Sequence, residues 1–213
     1  MFCVVFEVRP GEGRKDAYLA LAAEMRPVLE SIDGFLDNER FGSRTRPGWV
    51  LSLSTWRDEK SVIRWRTEAR HHLTQRKGRD AIFSDYRLRV GEVTGDTALP
   101  VGAPLRGQRF DATEIGEAKA LTITEAVPGS GTALSAPDAE AAGLVGHDLF
   151  ESITAPGKLL LLASWAGAEA ADAFRPAAPA SASPWRHRSV RVIREYGLHD
   201  RREAPQYHPA VAP

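Results

Sequence analysis

Two stretches of this chain read nearly as one: GFLDNERFGSRTRPGWVLSLSTW, from Gly34 to Trp56, and GLVGHDLFESITAPGKLLLLASW, from Gly143 to Trp165. Laid over each other without a gap, they agree at about nine of 23 positions. Phe41 falls on Phe150, Pro47-Gly48 on Pro156-Gly157, and Trp56 on Trp165. Chance supplies a few shared leucines. A Pro-Gly turn and a tryptophan in register point instead to a duplicated unit. In each stretch the Pro-Gly pair separates two apolar-rich runs, which is the pattern of a β-hairpin.

The likeness extends outward with gaps. VVFEVRPG (Val4 to Gly11) lies over TITEAVPG (Thr122 to Gly129), and LRVGEV near Leu88 resembles VRVIRE near Val190. Both gaps fall where the first copy reads as helix. There, Val4, Phe6 and Val8 alternate along a strand ended by Pro-Gly, and Lys15 to Ile32 carries apolar residues at helical spacing until Asp33-Gly34 stops it. After the hairpin, Asp58 to about Phe83 reads as one long helix with an acidic first turn, and Tyr86 to Val93 as a last strand. The order βαββαβ is the ferredoxin-like motif, of the α+β class. Its two helices cover one face of a four-stranded sheet, and a second copy can cover the other.

The second copy predicts strands at Ala118–Val127, Gly143–Thr154, Lys158–Ser164 and Arg188–Tyr196. Its helices are reduced: a short one at Ala136–Ala142, and one at Ala168–Phe174 that Pro176 breaks. The expected organisation is a first unit over 1–95, a Gly/Pro-rich linker over 96–116, a degenerate second unit over 117–199 and an extended tail over 200–213.

Bulk properties exclude several classes. The 213 residues carry 28 Lys+Arg against 28 Asp+Glu, so no charge imbalance argues for nucleic acid or an anionic membrane. Cys3 is the single cysteine, which rules out an intrachain disulfide. No run approaches the roughly 20 apolar residues of a membrane span, and MFCVVFEVRP lacks the basic start of a signal peptide. The expectation is a cytoplasmic protein. No phosphate-binding loop, dinucleotide glycine fingerprint or HExxH zinc motif is present.

The run WVLSLSTWRDEKSVIRWRTEARHH, followed by GRDAIFSDYRLRVGEV, resembles the antibiotic biosynthesis monooxygenase family. The likeness covers nearly all of the first copy and, more weakly, the second. Members are small ferredoxin-like proteins that pair into a dimeric α/β barrel, so the resemblance implies that this chain holds both partners of that barrel. It would then be a monomeric pseudo-dimer or pair again as a homodimer. The same fold hosts cofactor-free oxygenation and haem chemistry, so function must be argued from the site.

The resemblance makes Trp65 a substrate-cavity residue, nine positions after Trp56. A His or Tyr six positions further on selects His71. Helical geometry selects differently: at ~100° per residue, Val62, Ala69 and Leu73 form a buried stripe with Trp65 and His72 on its flank, and His71 on the opposite face unless the helix kinks. Either imidazole could act as general base or ligate haem iron, with Arg66 and Arg70 to pair with propionates. Ser61 stands where cofactor-free members often carry an Asn, so Ser61, Trp65 and Ala69 are the expected substrate contacts. Haem-degrading members need an Asn in the first strand; its place falls near Val4, and their iron ligand's place near Gln75.

Three readings follow. One is an oxygenase-like enzyme acting on a hydrophobic aromatic or polycyclic small molecule with no cofactor, His71 or His72 moving a proton. Another is a haem protein with His71 or His72 on the iron. The third is a binding module without catalysis. The second copy has Phe174 where the first has Trp65, so the site belongs to the first copy, and Glu203 to Pro209 could lid it.

Overall fold

The computed structural model describes residues 1–103, 105–126, 134–174, 176 and 185–205. The chain order is β1 (Phe2–Pro10), α1 (Lys15–Ser31), β2 (Phe35–Ser43), β3 (Val50–Trp56), α2 (Glu59–Thr67), α3 (Ala69–Lys77), a π-helical turn (Gly78–Ile82), β4 (Phe83–Asp96), β5 (Ala120–Ala126), β6 (Leu144–Ser152), β7 (Leu159–Trp165), α4 (Ala168–Ala173) and β8 (Trp185–Gly197). The eight strands close into one barrel in the order β1-β3-β2-β6-β7-β5-β8-β4, each antiparallel to its neighbours. This is the expected α+β pairing of two ferredoxin-like halves in one chain.

The duplication predicts register at β1 but not at β4, where the pairing sets Leu88 over His187 rather than over Val190. Phe2 pairs with Trp56 and Ala120 with Trp165, so Val4 corresponds to Thr122 as the sequence alignment places it. The halves join at β2–β6, where Phe41 faces Ser152 and Ser43 faces Phe150. Those four residues are two equivalent pairs exchanging partners across a pseudo-twofold axis. The second seam, β4–β8, carries two register shifts, one skipping Thr94 and one skipping Ile193.

Period-two alternation explains the two-layered burial. On β1, Cys3, Val5 and Glu7 point into the barrel, while Phe2, Val4 and Phe6 face the helices outside. The barrel core joins Val5, Phe41 and Leu53 to their second-half counterparts Ile123, Phe150 and Leu162. Outside, Leu29 of α1 and Val62 of α2 pack on Phe2, Trp56 and Ile193. Gly34 ends α1 at φ +87°, a left-handed turn, and a Cβ there would sit 2.0 Å from the Ser61 hydroxyl.

The barrel also encloses charge. Glu7 pairs with buried Arg89 at 2.5 Å, and Glu125 pairs with buried Arg188. Arg89 donates to Ser164 of the other half at 2.8 Å, and Arg188 donates to Thr55 at 3.0 Å. Arg46 bridges Glu7 and Asp148, and Lys158 bridges Glu125 and Glu39. Burial pushes the Glu7 carboxyl up, but Arg89 and Arg46 outweigh it and hold Glu7 below the usual range.

Two expectations are corrected. The long helix over Asp58–Phe83 is broken: Glu68 is extended (φ −61°, ψ 130°) between α2 and α3, and the chain finishes with the π turn. The break has its own cap, because the Glu68 carboxylate accepts the His71 N–H at 2.7 Å. Ala136–Ala142 is not a helix. Its described residues form turns around Asp138, the Ala141 N–H donating to the Asp138 carbonyl at 3.0 Å. Among the described residues, no helix is long and apolar enough to cross a membrane.

Candidate active site in the first half

A cavity of about 200 Å³ lies between the outer face of the first half's sheet and its helices. Val4, Phe6, Leu88 and Val90 form its floor, Tyr18, Met25 and Leu29 of α1 one wall, and Trp65, Arg66 and His71 another. Arg194 and Tyr196 of β8, then Arg201, Ala204 and Pro205, close one end. The segment after β8 is held there by Glu203, whose carboxylate accepts from the Thr113 hydroxyl at 2.7 Å and from the N–H groups of Glu114 and Glu195, each at 2.6 Å. The rest of the expected lid, Gln206 to Pro209, lies outside the described residues.

The break at Glu68 decides which histidine faces inward. With the helix interrupted there, His71 lies flat against Trp65, with ring centres 3.7 Å apart and planes 14° apart. Trp65 in turn stacks on Trp56 at 6.4 Å. His71 Nδ1 is 2.8 Å from the Trp65 carbonyl oxygen. A carbonyl only accepts, so Nδ1 carries the hydrogen and Nε2 keeps its lone pair. Burial pulls the His71 pKa down to about 4, against the carbonyl contact and Glu68, so the ring is neutral at neutral pH. The Gln75 amide nitrogen sits 3.4 and 3.5 Å from the two ring nitrogens.

The other candidates separate. His72, Ala69 and Arg70 are exposed, and Arg70 reaches Glu24 at 3.7 Å. Leu73, placed by periodicity on a buried stripe with Ala69, is 66% exposed. Only Val62 of that stripe is buried, because the stripe assumed one unbroken helix. Ser61 is fully buried but does not line the cavity; its hydroxyl donates to Asp58 at 2.7 Å and completes the α2 cap beneath Gly34. The four residues proposed for haem therefore divide, His71 and Arg66 on the cavity and His72 and Arg70 outside. The His71 ring has Trp65 stacked on one face, and only two of the four residues reach the cavity. These residues do not fit a haem as they stand. Among the described residues, no cluster of three His, Cys, Asp or Glu side chains could hold a metal ion.

Sequence reasoning missed several lining residues. Asn38 donates to Ser52 at 3.1 Å and to the Leu53 carbonyl at 3.0 Å, and Arg40 lies beside the Tyr18 hydroxyl. Tyr86, Arg194, Tyr196 and Arg201 come from strand β4, strand β8 and the C-terminal segment. In the second half, Phe174 packs on Trp165 at 5.3 Å as Trp65 does on Trp56. His147, opposite Asn38 in the alignment, is exposed on β6.

The model of the antibiotic biosynthesis monooxygenase family matches residues 1–77. Over its whole length the chain is 41% identical to a protein of Pyricularia oryzae named jasmonate monooxygenase ABM, across 224 aligned positions that cover all of both chains. This chain belongs to the antibiotic biosynthesis monooxygenase family. Membership makes it monooxygenase-like and agrees with the barrel of ferredoxin-like halves. Among solved structures it resembles an aldoxime dehydratase in complex with butyraldoxime, at 14% identity and TM-score 0.57, over 93% of this chain and 80% of that one. A protein from Shewanella oneidensis matches 42% of this chain and 86% of its own, at 16% identity and TM-score 0.40. At such identities the dehydratase speaks for the fold of this family member and not for its chemistry.

Proposed function

We propose that the chain is a monooxygenase whose hydrophobic small-molecule substrate occupies the cavity of the first half, with Trp65 as a flat wall and His71 as the base. The observation that carries this is the stacked His71, neutral and fixed in the tautomer that leaves Nε2 able to accept a proton. The relative's name makes jasmonate the first substrate to try. The aromatic wall of Trp65 also suits the aromatic and polycyclic rings suggested by the sequence.

The chemistry divides into two balanced cases. A methylene made acidic by a neighbouring carbonyl or ring can lose a proton to His71, and its carbanion can reduce oxygen directly. One O₂ then converts CH₂ to C=O and releases water, with no outside electrons. Hydroxylation with release of water needs two further electrons and two protons, from a reductant such as a reduced nicotinamide. The closed barrel uses both sheet edges of each half, which supports a monomeric pseudo-dimer as the working unit.

The test is oxygen uptake with product mass analysis, offering jasmonate and a reduced polycyclic phenol, each with and without NADPH. Oxygen incorporation that is lost in His71→Gln with the fold intact is expected. No oxygen consumed above background under any of these conditions would defeat the reading. Added hemin is expected to give no Soret shift.

A further inference from the structure

The cavity is apolar along its length but not electrically neutral. Among the described residues, Arg40, Arg66, Arg79, Arg194 and Arg201 line it, against one acid, Glu59, which is already paired with Arg109 at 2.7 Å. Four of those arginines gather toward one end. Arg194 and Tyr196 are on β8, Arg66 is close enough to feel the charge of Arg194, and Arg201 donates to the Tyr86 hydroxyl and lies 5.8 Å over the Tyr196 ring. Arg79 also acts on Tyr86. Among the described residues, Arg79, Arg194 and Arg201 make no ion pair with a carboxylate. Asp111 feels Arg194 but is held by Arg109. Glu203 is committed to Thr113 and backbone N–H groups.

Like charges gathered round a low-dielectric cleft repel one another and focus a positive potential into it. The fold keeps them together there, while the same barrel neutralises its interior arginines with Glu7 and Glu125. An anion entering the cavity would relieve the repulsion and accept charge-assisted hydrogen bonds from planar guanidinium groups. Burial pushes the Tyr196 phenol up to about 12, so its hydroxyl stays a donor.

We infer that the end of the cavity formed by Arg194, Arg201 and Tyr196 is a carboxylate subsite. The substrate is then an apolar molecule with a terminal carboxylate, its acid group on the arginines and its carbon skeleton running toward Trp65 and His71. This rests on the proposed function for the meaning of the cavity and adds the handle by which substrate is oriented. Because Arg194 acts on Arg66, which follows Trp65 directly on α2, the subsite lies near Trp65 and fixes where along the skeleton the His71 Nε2 can reach.

The experiment uses the full chain and a matched pair, jasmonic acid and its methyl ester, which differ only in charge at the carboxyl. Binding is followed by calorimetry and turnover by oxygen uptake. The acid is expected to bind about tenfold or more tighter than the ester. That preference should shrink to about twofold or less in Arg194→Gln, return in part in Arg194→Lys, and weaken with added salt, while ester affinity stays constant. Thermal melts of both variants show that the fold is kept. Equal binding of acid and ester, or a preference that survives both Arg194→Gln and Arg201→Gln, overturns the subsite. Turnover without acid preference leaves the monooxygenase reading standing and removes the subsite. Acid-selective binding without turnover does the reverse. Failure of both ligands to bind removes both.

Discussion

The imidazole of His71 lies 3.7 Å from the indole of Trp65 and nearly parallel to it, while its Nδ1 hydrogen bonds back to the carbonyl of that same tryptophan. One residue thus packs, orients and fixes the protonation state of the other. His71→Gln should leave a folded protein whose kcat falls by about two or more orders of magnitude, the usual loss when a general base is removed. Stopped-flow oxygen consumption would show it. An unchanged kcat would remove His71 from the chemistry.

The depressed pKa of His71 also makes a pH prediction. The unfolded chain takes up this proton near pH 6.5 and the folded chain only near pH 4. The folded state therefore loses up to roughly 3 kcal/mol relative to the unfolded state as pH falls from about 6.5 to about 4, and nothing above that window. Urea melts at pH 7 and pH 4.5 should show a smaller acid loss in His71→Gln than in the parent. The acid limb of kcat/KM should lie near pH 4 rather than near 6.5.

Glu68 makes the break that brings His71 inward. Glu68→Ala removes the α3 cap and should cost about 1 kcal/mol of stability. It should also let His71 leave Trp65, raising the His71 pKa toward its ordinary value and changing the tryptophan emission. NMR titration of the histidine ring protons would follow the first effect. A His71 pKa that stays near 4 in this variant would show that Trp65 holds the ring without the cap.

The family resemblance made Ser61 an expected substrate contact, and in the structure it completes a helix cap. Ser61→Ala should lower stability by about 1 kcal/mol while leaving KM unchanged. Steady-state kinetics beside a thermal melt separates the two roles, and a raised KM at constant stability would return Ser61 to the cavity.

The ion pairs inside the barrel should behave as a coupled set. Arg89→Met leaves Glu7 short of a partner and should cost about 3–5 kcal/mol at neutral pH. Adding Glu7→Gln should recover part of that loss in a double-mutant cycle. Because Glu7 is held below its ordinary pKa, the stability it contributes is present above about pH 4.3 and is lost as pH falls through its lower folded value. Additive costs in the cycle would mean that the two side chains do not interact.

Much of this fold was legible because its signals are local. The hairpin Pro-Gly turns, the trailing tryptophans and the first strands occur twice in register, and the barrel follows from pairing the copies; the last strands were matched three residues out of register. The site was harder. Residues Asp58 to Phe83 have enough helical periodicity to read as one helix, and a single extended residue at Glu68 re-aims everything after it. The family resemblance pointed to His71 and periodicity to His72; the break reconciles His71 with the cavity. Arg194, Tyr196 and Arg201 carried no sequence signal, because they reach the cavity from the opposite end of the chain through the β4–β8 seam.

That seam has a last consequence. Its two register shifts fall at equivalent places in the halves, skipping Thr94 in one and Ile193 in the other, so Val90 opposite Arg194 corresponds to Ser189 opposite Gly95. Two identical first halves, paired symmetrically, would present a glycine where this chain presents an arginine to the cavity. Joining the copies in one polypeptide lets that position hold different residues on its two sides, so the molecule is in effect a heterodimer made from a single gene product.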